Sequence, residues 1–175
     1  PYAAFAIRAR FPIFLAAVLD AADGPVCHTA HMMTANACPY HCYYCSESTR
    51  VAGRAIHFAG HPAQGALDRV LEYVSYGAQA MFFDDPIFCG GNTRQMVEFC
   101  EALALAKASH PRNRWLRDGA DWQRLDNLQW GAQLTIEYLT SLQSRDKALE
   151  LLRAMHCAGC TYLYFGIESM SAVIM

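Results

Sequence analysis

The stretch Ala78–Leu103, AQAMFFDDPIFCGGNTRQMVEFCEAL, changes its periodicity halfway along. Its first part, AQAMFF, is a short, mostly apolar run of the kind that forms a buried strand, and it runs into Asp84, Asp85 and Pro86. Its second part starts at Asn92 or Thr93, whose side chains can accept from the orphan N–H groups of a helix start. Met96, Phe99 and Leu103 then recur at helical spacing, and Pro111 sets the limit. A buried strand followed at once by an amphipathic helix is the repeating unit of a parallel sheet covered by helices.

The same alternation extends in both directions. Upstream, Val26–Ala35 reads as a first strand, and Leu67, Val70, Leu71 and Val74 mark a helix that Gly77 closes in a left-handed conformation. Downstream, LQWGAQLTI is a third strand, Leu149, Leu152 and Met155 mark a further helix ending at Gly159, and TYLYFGI is a fourth strand. The expected fold is α/β: a partial (β/α) barrel, truncated after about four parallel strands with three intervening helices. Between Ser109 and Asn127 lies a polar stretch with four arginines, Trp115 and Trp122. It is too long for an ordinary connection in such units, and reads either as a surface element pinned by its tryptophans or as a loop over a site. Phe11–Ala22 is apolar but holds Pro12 and Asp20 and is too short to span a membrane. Residues 1–25 are accordingly expected to be a helical segment or linker, and residues 26–175 the N-terminal part of a core domain.

Composition narrows the function. With 54% apolar and 17% charged residues among 175, the chain has enough material for one sizeable core. Fourteen basic against sixteen acidic residues leave no broad field for nucleic acid or an anionic membrane. Eight unevenly spaced cysteines without a recognisable signal peptide point to a reducing, cytoplasmic setting.

Three of those cysteines, Cys38, Cys42 and Cys45, stand in CPYHCYYC. One short loop offering three thiolates suits an iron–sulfur cubane with one iron left open. A structural zinc site completed by His28, His31 or His41 is the other reading, and would make the chain a non-catalytic zinc-binding domain. The CAGC pair, Cys157 and Cys160, reads as ordinary packing at a helix end, and Cys27, Cys89 and Cys100 as small apolar residues. In a parallel barrel, functional side chains gather at the C-terminal ends of strands, which is where Asp84 and Asp85 fall. Neighbours on an extended chain point oppositely, so the two carboxylates face different ways; both also fit a plain turn.

Cys-x3-Cys-x2-Cys after a first strand resembles the radical S-adenosylmethionine (radical SAM) superfamily. DDPIF and GIES resemble its branch that often carries a cobalamin-binding domain upstream. In that branch Thr-Ser-Arg-Gly-Cys is usual where this chain has Thr34, Ala35, Asn36, Ala37 and Cys38. The resemblance implies a partial barrel of the radical SAM type and a [4Fe-4S] cluster on Cys38, Cys42 and Cys45. It implies S-adenosylmethionine (SAM) bound near Tyr44, Asp84, Asp85, Gln133, Gly166, Glu168 and Ser169. One of the paired carboxylates would accept from the SAM ammonium while the other fixes the loop. It further implies reductive cleavage of SAM to a 5′-deoxyadenosyl radical, then hydrogen abstraction or methyl transfer on a small-molecule or cofactor-like substrate. An electron donor such as a flavodoxin or ferredoxin is the implied partner, with cobalamin supplied through a domain not present in this chain. No nucleic-acid partner and no membrane span are expected.

Overall fold

A computed structural model describes residues 7–9, 27–35, 38, 40, 45, 62–137 and 145–166. The strand of the AMFF run, β3 (Ala80–Phe83), follows β1 (Ile7–Ala9) and β2 (Cys27–Met32) and precedes β4 (Gln129–Leu134) and β5 (Cys160–Phe165). Neighbours in the sheet are neighbours in sequence, in the order β1-β2-β3-β4-β5. The pairs β2–β3, β3–β4 and β4–β5 are parallel, and β1 pairs antiparallel with β2. The α/β expectation with four parallel strands therefore holds among the described residues. The three-residue antiparallel strand at Ile7–Ala9 is an addition to what the sequence reading placed in residues 1–25. The helix expected over Phe11–Ala22 lies outside the described residues.

The connections contain α1 (Pro62–Ser75), α2 (Thr93–Ser109), α3 (Gly119–Asp126) and α4 (Arg145–Cys157). Helix α1 opens on a proline, whose missing N–H would have been an orphan there anyway. At the start of α2, Asn92 accepts from Gln95 N at 3.1 Å, as its position before the apolar periodicity predicts. The last helix departs in detail: its buried stripe is Ala148, Leu151 and Met155. The expected stripe positions Leu149 and Leu152 are instead half-buried flanks of it, and Met155 is buried as expected.

All four helices share one core with one face of the sheet. Ala30, Met32, Met81, Phe83, Trp130 and Ala132 are buried there with Leu67 and Val70 of α1, Phe99 and Leu103 of α2, Leu125 of α3 and Leu151 of α4. At its centre Phe83, Phe88, Phe99 and Trp130 pack edge-on or tilted, with Phe83 and Trp130 crossing at 87° and 5.2 Å. Each such fully buried aromatic contributes about 1.5–3 kcal/mol of transfer free energy. Trp130 also donates its indole N–H to Ala158 O at 3.0 Å, which satisfies its one polar atom in the dry interior.

The 109–127 stretch resolves in favour of a pinned surface element. It is a loop leading into α3, which packs on α1 and α2 on the helical side of the sheet. Leu116 and Leu125 are buried, Trp122 stacks on His110 at 4.8 Å, and Arg114 lies over Trp115 at 4.7 Å while pairing with Asp68. The CAGC pair divides: Cys157 ends α4 exposed, Gly159 takes φ +94°, and Cys160 is buried at the head of β5 with its thiol pushed up to about 11 by burial. Burial also pushes the thiol of Cys89 up to about 12 and that of Cys100 higher still.

Candidate functional site

Strand alternation assigns the second face of the sheet, away from the helices. The register aligns His31, Phe82, Gly131 and Tyr162 in one row across β2 to β5. Phe82 lies 5.9 Å from the His31 ring and 6.3 Å from that of Tyr162. The two phenyl rings can meet across β4 only because Gly131 has no side chain: a Cβ there would stand 2.8 Å from Tyr162 Cδ1 and 3.2 Å from Phe82 Cδ2. One step toward the C-terminal ends, the same face carries Asp84, half-buried Gln133 and exposed Tyr164. Near the other end Thr29 is buried on this face, and its hydroxyl has no hydrogen-bond partner among the described residues.

Asp84 and Asp85 part company as adjacent strand residues must. The Asp84 N–H continues the β2–β3 ladder by donating to Met32 O at 2.9 Å, and its carboxylate Oδ2 lies 2.8 Å from His31 Nδ1 on the second face. Asp85 turns the other way and is fully buried. Its carboxylate accepts from Thr34 N at 2.5 Å, Ala35 N at 3.1 Å, Cys89 N at 2.8 Å and the Thr34 hydroxyl. The Cys89 N–H also reaches Thr34 Oγ1 at 3.1 Å. Cys89 is held at φ +51°, unusual for a residue with a side chain, at the head of a run of positive φ through Gly90 and Gly91. With every strong acceptor direction occupied by protein donors, Asp85 takes the loop-fixing role. The carboxyl of Asp85 is nonetheless held above the usual carboxylate range, because burial outweighs the Thr34 hydroxyl and the three backbone N–H groups that pull it down.

That clamp fixes the segment leading into the cysteine loop. Thr34 and Ala35 are tied to the turn after β3. A few residues later Tyr40 sits beside Thr135 and Glu137, past the end of β4; burial first, then Glu137, pushes its phenol up against the opposing Thr135 side chain. Cys38 and Tyr40 pack against the core. The loop thus begins across the C-terminal ends of the parallel strands. Cys38 and Cys45 are half-buried and form no disulfide. Cys42 and Tyr44 lie outside the described residues, as do Glu168, Ser169 and His41. Among the described residues no three His, Cys, Asp or Glu side chains converge as a metal site, a set that excludes Cys42. Gln133 shares the face of Asp84, Asp85 does not, and Gly166 is exposed just past β5.

The sequence reading weighed His31 only as a zinc ligand and passed over Phe82 and Tyr162. The available signal was the period-two alternation of His31 with Met32 and of Phe82 with Phe83, which separates a core face from a second face. Among the described residues no helix is long and apolar enough to cross a membrane. Compared with known proteins, the chain matches no family model, no curated protein and no solved structure.

Proposed function

We propose that this chain is part of a radical SAM enzyme, with Cys38, Cys42 and Cys45 holding a [4Fe-4S] cluster and SAM bound over the second face of the sheet. The observation that carries the reading is the position of the CPYHCYYC loop: its entry is tied by Asp85 to the C-terminal ends of parallel strands wound in sequence order. Ligand sites of open and closed parallel sheets lie at those ends. Sequential winding with the helices on one face is also what an arc of a (β/α) barrel requires, which supports a partial barrel of the radical SAM type.

The donor set fits the group. Two of the three thiols, Cys38 and Cys45, are half-buried and outside any disulfide, on a loop whose backbone is anchored before the first of them. When bound, the cluster supplies the electron for reductive cleavage of SAM to a 5′-deoxyadenosyl radical. The chain's own residues then bind and orient. Asp84 accepts from the SAM ammonium, Gln133 offers a polar contact on the same face, and Tyr44, Gly166, Glu168 and Ser169 contribute to the nucleotide pocket. Asp85 keeps the loop in register instead of touching the ligand.

Anaerobic reconstitution with iron and sulfide tests the proposal. About four irons per chain and SAM-dependent formation of 5′-deoxyadenosine support it, with both lost in Cys42→Ala. One tightly held zinc and no iron uptake would replace it with the structural zinc reading. Retention of cluster and cleavage in Cys42→Ala would refute the ligand assignment.

A further inference from the structure

We infer that His31 is a positioning residue for Asp84, aiming that carboxylate at a primary ammonium group of the ligand held over the second face. The inference rests on the proposed radical SAM reading, in which that ammonium belongs to the methionine moiety of SAM. His31 Nδ1 and Asp84 Oδ2 are 2.8 Å apart, and both side chains are about two-fifths exposed, so the pair lines an accessible surface. An ionised carboxylate only accepts, so the imidazole nitrogen facing it is the one that carries hydrogen. One oxygen of Asp84, Oδ2, is thereby engaged by the imidazole, and on this inference the ligand's ammonium goes to the other, Oδ1.

The imidazole is itself placed by packing. Its ring neighbours Phe82, and Phe82 neighbours Tyr162 across the gap that Gly131 leaves. The row Tyr162–Phe82–His31 therefore sets the ring plane, and the ring sets the carboxylate. A carboxylate at the end of a strand has two free torsions; a directional donor at a fixed place reduces them before the ligand arrives. His31 touches no ligand in this arrangement. Its contribution is the orientation of the group that does.

The test measures SAM affinity on the reconstituted protein, read from the perturbation of the cluster's electron paramagnetic resonance signal, for wild type, Asp84→Asn, His31→Ala and His31→Asn. Asparagine places an amide N–H close to the position of Nδ1. His31→Ala is expected to weaken SAM binding about tenfold, the worth of one hydrogen bond to a charged group, and Asp84→Asn by at least as much. His31→Asn is expected to restore most of the loss. Combining His31→Ala with Asp84→Asn should add little to Asp84→Asn alone, because the histidine acts through the carboxylate. Wild-type affinity in His31→Ala, failure of His31→Asn to rescue, or additive effects would overturn the inference while the radical SAM reading stands. A wild-type protein that takes up iron but binds no SAM, or takes up no iron, would overturn both.

Discussion

Replacing Asp85 by asparagine is the sharpest probe of how the cysteine loop is held. The carboxylate is fully buried and meets four donors. In Asp85→Asn the amide oxygen can still serve Thr34 N and Ala35 N, and the Thr34 hydroxyl can turn to accept. The amide nitrogen, however, then faces Cys89 N–H, donor against donor. One buried unsatisfied donor costs about 1–3 kcal/mol, and two bonds that lose their charge weaken by about 1 kcal/mol each. Relief of the burial penalty on the carboxylate offsets part of this, leaving a net loss of about 2–3 kcal/mol. For a domain of this length that is about 5–10 °C in Tm. Urea denaturation followed by circular dichroism reads it as a lower midpoint at unchanged slope. A loss below about 0.5 kcal/mol, the range of ordinary surface changes, would refute the clamp.

The same variant carries a pH signature. Burial raises the native Asp85 pKa above its unfolded value, so the native chain keeps this proton to higher pH than the unfolded chain does. The stability linked to that shift is complete below the unfolded value near 3.9 and is lost as pH rises through the raised native value. The gap between wild type and Asp85→Asn should therefore widen as pH falls through that window. A gap that narrows would show that the four donors outweigh burial.

Two glycines give further tests. At Gly159, φ is +94° and a Cβ would stand 2.5 Å from Lys107 Nζ and 2.7 Å from Leu128 O, two atoms that are themselves hydrogen-bonded; Gly159→Ala should cost about 2 kcal/mol or more in thermal unfolding, and a neutral result would contradict the turn described. Gly131→Ala should cost about 1–3 kcal/mol by forcing Phe82 and Tyr162 apart, and in the reconstituted protein it should weaken SAM binding as His31→Ala does; unchanged affinity would detach the ring row from the site.

Much of this architecture is legible in the chain because its signals are local. The strand–turn–helix unit of Ala78–Leu103 announces itself by a change of period and a cap at Asn92, and the structure has both. The opposite facing of Asp84 and Asp85 follows from strand geometry alone. Which of them stays exposed and which is clamped inside did not follow, since Asp84 pairs with His31, 53 positions away, and Asp85 with Thr34, 51 positions away. Such pairings are set by sheet register and leave no mark in a local window. The strand at Ile7–Ala9 escaped for a different reason: three residues are too few to display a period. In α4 the buried stripe Ala148, Leu151 and Met155 keeps the helical interval and runs one position before the expected Leu149 and Leu152.

Asp84 and Asp85 are joined by a single peptide plane, yet one lies on the exposed second face beside His31 and the other anchors the segment that leads into the cysteine loop. Any tilt of that plane is shared by both. On the proposed reading, occupancy at the exposed carboxylate and filling of the cysteine loop would be linked quantities, and linkage is reciprocal: if filling the loop sharpens the grip on an ammonium, an ammonium must favour filling of the loop by the same factor. On that reading, two neighbouring residues of one type, turned apart by the pleat, would let the proposed nucleotide and metal sense each other.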